Sequence, residues 1–113
     1  MAIPSGSGTE VLKRKTKVAN NAGWFEILSG EANHIYTVLS IIFVNRTTSS
    51  YVIEIQVNDG SNDCTILGST TVGSHGTFVW NDKFVMEEDD DLDVYNGHSD
   101  GDWYVSYIEQ DWS

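Results

Sequence analysis

The chain has 113 residues, a formal net charge of −11 and a sequence pI of about 4.3. That length fits one domain that can bury a core without disulfides or a structural metal. The acidic balance argues against nucleic-acid binding, because carboxylates repel phosphates, and no apolar run is long enough for a membrane-spanning helix.

Residues 1–9, "MAIPSGSGT", are small and polar with one proline. They are expected to form a flexible or extended N-terminal arm, with Ile3 and Pro4 as its candidate contact residues. The opening stretch lacks the basic-then-apolar layout of a secretory signal. With Cys64 as the only cysteine, synthesis in a reducing cytoplasm is expected. The remainder, 10–113, is expected to be a single domain. Its first strand, "EVLKRKTKV", carries Lys13, Arg14, Lys15 and Lys17, four of the six basic residues. This strand is a candidate to meet an acidic surface on another subunit.

"WFEIL" gives a second strand. "IYTVLSIIFV" (35–44) follows, apolar enough to be buried on both faces or to turn a sheet corner. The polar "NRTTSS" has the length of a hairpin loop leading into "YVIEIQV" (51–57). There Tyr51, Ile53, Ile55 and Val57 face one way, and Val52, Glu54 and Gln56 the other. "NDGSND" is a turn, since glycine after Asp59 accepts positive φ. Further strands read at 64–72, 77–86 (interrupted near Asn81-Asp82), 91–95 and 102–109. "VGSHG" and "NGHSDG" supply turns, and no helix is expected. About eight short alternating strands define an all-β fold, an antiparallel β-sandwich of jelly-roll-like type.

The stretch "VMEEDDDLDV" (85–94) concentrates carboxylates. Read as an EF-hand loop from Asp89, it puts Val94 at the glycine place and Asp100 at the glutamate place, so the match fails. Leu92 and Val94 keep the strand period and should face the core, leaving Asp91 and Asp93 on the solvent face. Glu87 to Asp90 then form a solvated turn, with an aspartate in left-handed geometry. Calcium ligation by Asp89, Asp91 and Asp93 stays open as the alternative.

No sequence signature of a hydrolase, zinc protease, redox dithiol or nucleotide-binding loop occurs. His34, His75 and His98 all fall in expected turns, and adjacency of Ser74-His75 or His98-Ser99-Asp100 does not make a triad. Cys64 is expected to be a packed thiol. Catalysis and cofactors are therefore not expected. Four tryptophans, Trp24, Trp80, Trp103 and Trp112, suit packing and interfaces, with a sugar-stacking platform as the alternative. On the last strand Trp103, Val105 and Tyr107 share one face. Trp112, next to the C-terminus, is a candidate subunit contact. Asn45-Arg46-Thr47 matches a glycosylation sequon.

Several short motifs occur in a characteristic order: Tyr36-Thr37-Val38 entering a long strand, Val44-Asn45 ending it, "VIEIQVNDG", "VMEEDDDLDV" and the closing "VSYIE". In these, from about residue 10 to 109, the chain resembles small β-sandwich structural proteins of tailed-bacteriophage virions. Asp89 stands where that acidic turn often carries glycine. The resemblance implies no enzyme and no cofactor. It implies a virion protein made in the host cytoplasm that joins the major capsid protein or other virion subunits. A capsid decoration (cement) protein that forms a symmetric homo-oligomer, often a trimer, is the expected type. A neck, tail or fibre adaptor is the alternative within the class, and a carbohydrate-binding module the alternative outside it.

Overall fold

The computed structural model describes residues 9–112. Nine strands follow in order: β1 (Thr9–Ala19), β2 (Gly23–Ser29), β3 (His34–Asn45), β4 (Tyr51–Asn58), β5 (Asp63–Val72), β6 (Thr77–Trp80), β7 (Phe84–Met86), β8 (Asp91–Asn96) and β9 (Gly101–Asp111). No helix occurs among the described residues. Every expected strand is present, with ends displaced by one or two residues. The interruption at Asn81-Asp82 separates β6 from β7, so the count is nine rather than eight. The expected arm, with Ile3 and Pro4, lies outside the described residues, apart from Thr9, which opens β1.

The strands form two antiparallel sheets, β1-β9-β3-β6 with β7 also on β3, and β2-β8-β4-β5. Among the described residues only β4 and β5 are joined as a hairpin. β6 and β7 both pair with β3, and every other connection crosses from one sheet to the other. This is the strand order of a jelly roll. It corrects the expectation for "NRTTSS": β3 and β4 lie in different sheets, so the segment bridges the sandwich. Alternation shows which side of a strand is apolar, but not which strand lies beside it.

The core fills the space between the sheets. Trp103, Phe43, Ile41, Val38 and Val105 come from one side; Ile53, Ile55, Leu92 and Val94 come from the other, all fully buried. Phe43 packs on Trp103 with ring centroids 4.6 Å apart, and its other edge meets Tyr51 at 5.9 Å. The face assignments for β4, β8 and β9 hold. β3 is not buried on both faces: its outward residues are half-exposed. Its length has another cause. It pairs with β7 over Tyr36–Val38 and with β6 over Ile41–Val44, and β9 runs along its other edge. A bulge between Val38 and Ser40 resets the alternation between these two stretches.

Asn45 organises the sheet crossing. Its side chain is fully buried. Nδ2 donates to the carbonyls of Ser49 (2.8 Å), Val72 (3.2 Å) and Gly73 (3.0 Å), while Oδ1 accepts from the Thr47 N–H and hydroxyl, both at 2.8 Å. An amide so committed is closed to glycan attachment in the folded chain, so the sequon is structural. At the opposite end, Gly30 lies against the acidic turn. Its N–H donates to Asp90 O (2.7 Å), and a Cβ at this position would lie 2.2 Å from Glu87 O.

Candidate interaction surfaces and a histidine–carboxylate cluster

The two outer faces differ in chemistry. On the first sheet, cross-strand register builds the rows Leu12–Ile108–Thr37–Val85, Thr16–Tyr104–Ile42–Val79 and Val18–Asp102–Val44–Thr77. Leu12 is 70% exposed, Val85 58% and Val79 47%. The acids beside these rows are engaged: Glu10 accepts from Gln110 Nε2 (2.6 Å) and Asp102 from Arg46 Nε (3.0 Å). The result is an apolar, hydroxyl-rich face on a strongly acidic chain. On the second sheet the rows are Trp24–Tyr95–Glu54, Glu26–Asp93–Gln56 and Ser29–Asp91–Asn58–Asp63.

The four basic residues of β1 do not form one patch. Cross-strand partners share a face. Lys13, Lys15 and Lys17 oppose the inward-facing Tyr107, Val105 and Trp103, and Arg14 opposes outward Ser106. Three lysines therefore point toward the inner side of the sandwich, at its open margin. Lys17 Nζ lies 5.0 Å from the centre of the Phe25 ring, and Lys13 pairs with Glu109. Arg14 alone faces outward, its guanidinium 5.9 Å from the Tyr104 ring centre. Inward charges on an edge strand oppose addition of a further strand. They also hold the margin open as a polar cleft of about 410 Å³, lined by Lys13, Lys15, Glu26, Glu31, Tyr36 and Glu109 among others.

The acidic stretch folds as a turn. Asp90 Oδ2 accepts from Glu87 N–H (2.8 Å) and Asp90 N–H donates to Glu87 O (3.1 Å). The left-handed residue expected here is absent: the non-glycine residues with positive φ are Asn33, His75 and Asp100. Asp91 and Asp93 lie on the outer face of β8, and Ser29 donates to Asp91 (2.9 Å). The Glu26 carboxyl is pushed up, first by its hydrogen bond to Asp91, then by burial and by the charges of Asp91 and Asp93. Asp93 is raised by burial and then by Asp91. Asp89, Asp91 and Asp93 do not converge as ligands.

A different group converges. Glu31, in the β2–β3 loop, His34 at the start of β3 and Glu109 near the end of β9 bring one ligand atom each to within 4.8 Å of one another. His34 is buried at a strand start, not in an open turn. Its Nδ1 contacts Ala32 O at 2.7 Å. Nε2 faces Asp111 Oδ1 (3.5 Å), Glu31 Oε2 (3.8 Å) and Glu109 Oε1 (4.0 Å). The Ala32 carbonyl and then the three carboxylates hold its pKa above the usual histidine range, against burial. Tyr36, beside Glu109, is pushed up to about 12 by burial and then by that carboxylate. Sequence reasoning missed this cluster because Glu31-x-x-His34 carries no sign that β3 pairs with β9. The pairing His34↔Asp111 and Tyr36↔Glu109 assembles it.

Trp112 is half-buried, and its backbone N–H donates to Asn33 O (2.8 Å). Cys64, expected to be packed, is exposed on edge strand β5. Asp100 turns to Arg46 (3.7 Å), not to His98, so His98-Ser99-Asp100 makes no triad. Trp24, 45% exposed, contacts Tyr95 with ring centroids 5.2 Å apart.

No family model matches the sequence, and no curated protein does. Solved structures match in fold. A chain from the disulfide-linked pili of Bacillus endospore appendages superposes with a TM-score of 0.56 at 14% identity, over 100% of this chain and 97% of that one. A chain from the acid-stable capsid of the Helicobacter pylori bacteriophage KHP30 does so with a TM-score of 0.57 at 10% identity, over 94% of each. The Drosophila NLP core, described for its pentamer formation and histone binding, follows at 0.51 and 12%, over 88% of this chain and 95% of that one. At these identities the likeness is one of fold.

Proposed function

We propose that this chain is a structural protein of a bacteriophage virion, attached to the head surface as a decoration protein. In this reading it contacts the major capsid protein and further copies of itself, and its work is adhesion rather than chemistry. The observation that carries the reading is the outer face of the first sheet. Leu12, Val18, Val79, Val85 and Tyr104 stand exposed on one continuous sheet surface. Exposed apolar residues gathered on one face mark an interaction site. The acidic outer face of the second sheet offers a complement to Arg14 and to other basic surfaces. The sequence resemblance to tailed-phage virion proteins supports the reading. So does the shared fold with proteins described as parts of a capsid, a pilus and a pentamer.

Quantitative mass spectrometry of purified particles tests it. A decoration protein is present in hundreds of copies per virion, the order a head lattice provides. A dozen or fewer would move it to a neck ring or tail adaptor, and absence from particles would overturn the reading. The exposed Trp24, tilted against the half-buried Tyr95 beside Glu54, favours a glycan-binding module as the second reading.

A further inference from the structure

We propose that Glu31, His34 and Glu109, with Asp111 beside them, form a binding site for a divalent transition-metal ion of the zinc type. This inference is independent of the virion role. The His34 ring is oriented for an ion. A carbonyl only accepts, so the proton of neutral His34 sits on Nδ1, 2.7 Å from Ala32 O. Nε2 is then a bare lone pair. Metal-ligating histidines are held in this way, one ring N–H donated to a backbone carbonyl and the other nitrogen on the ion.

The three carboxylate oxygens stand 3.5, 3.8 and 4.0 Å from Nε2. These separations exceed an ordinary N–H···O bond of about 2.7–3.2 Å. The ligand atoms of Glu31, His34 and Glu109 lie within 4.8 Å of one another, and they would share one ion at about 2.0–2.2 Å from each once the side chains draw together by up to about an ångström. Lys13 engages the other oxygen of Glu109 and fixes that carboxylate. The His34 and Glu109 side chains are only 11% and 14% exposed, while Glu31 lies in the loop at 66% and can close over an ion. A mixed imidazole–carboxylate set selects zinc-type ions over calcium, which takes oxygens alone.

The site would tie the β2–β3 loop to the end of β9. Titration calorimetry of the full chain with zinc chloride, and cobalt(II) absorption as a geometric probe, test it. The expected result is one ion per chain and a raised melting temperature. Glu31→Gln, a change at an exposed loop carboxylate, should weaken zinc binding about tenfold or more, while calcium gives no comparable shift. The His75→Gln/His98→Gln double variant should bind as the parent does. No zinc uptake, equal affinity in Glu31→Gln, or loss of binding in the double variant would overturn the proposal.

Discussion

Asn45 shows how much one side chain can carry. It closes five hydrogen bonds at the point where the chain leaves one sheet for the other. Asn45→Ala would take the amide from the buried Val72 carbonyl, from Gly73 O and from the Thr47 N–H, while the Thr47 hydroxyl keeps Ser49 O. The expected loss is about 2 kcal/mol or more, read as a fall in melting temperature on the order of 10 °C for a chain of this size. A fall of only a degree or two would mean that water replaces the amide. The acidic face gives a second prediction. Glu26 and Asp93 have raised folded pKa values, so the native state holds their protons more tightly than the unfolded chain does. Their ionisation costs stability at neutral pH, and that cost is relieved as pH falls through the folded pKa values toward the ordinary carboxylate range. Asp59 acts oppositely. Its pKa is lowered by the backbone N–H groups of Asn62 and Ser61, so its contribution is present above the unfolded pKa and lost in strong acid. His34, whose folded pKa is also raised, adds stability as pH falls through that pKa, so melting temperature in low salt should rise modestly as pH falls from 7 and drop in strong acid. Glu26→Gln should remove part of the rise on its acid side, and a variant with the parent's profile would contradict the assignment. At this scale the sequence was legible where periodicity spoke: Leu92, Val94 and Trp103 are in the core as expected. It was not legible for Cys64 or His34, whose burial depends on which strand lies alongside.

At the level of elements, strand limits were legible because alternating apolar residues and polar breaks encode them locally. Sheet membership was not. "NRTTSS" and "NDGSND" are both short polar connections, yet one crosses the sandwich and the other closes a hairpin. What separates them is the Asn45 network on one side and the Asp59-Gly60 turn on the other, where Gly60 adopts φ 93°. The basic strand β1 is the clearest case. Its composition pointed to a positive surface. Its register with β9 instead turns Lys13, Lys15 and Lys17 inward over the margin of the core, leaving Arg14 with Leu12, Thr16 and Val18 outside. An edge guarded by inward charge resists strand addition, so contact is argued through the flat of the sheet rather than through its edge. The acidic turn has a similar lesson. It is seated by Gly30, whose missing side chain lets the carbonyls of Glu87 and Glu88 approach, not by a left-handed aspartate.

For the whole molecule, the proposed role requires the apolar outer face of the jelly roll to be a contact surface, and we propose that further copies of the chain cover it in solution. A face built from Leu12, Val85, Val79 and Tyr104 is costly to leave in water, and closed symmetric association removes it. Breaking it needs no change to the core, since Leu12 and Val85 point away from the opposite sheet. The most direct measurement is light-scattering mass across a concentration series, for the parent and for a Leu12→Asp/Val85→Asp variant. The parent is expected at two or more times the single-chain mass of 12.6 kDa, and the variant, still folded, at a single copy. A parent that stays at 12.6 kDa at every concentration, or a variant that associates as the parent does, would contradict it.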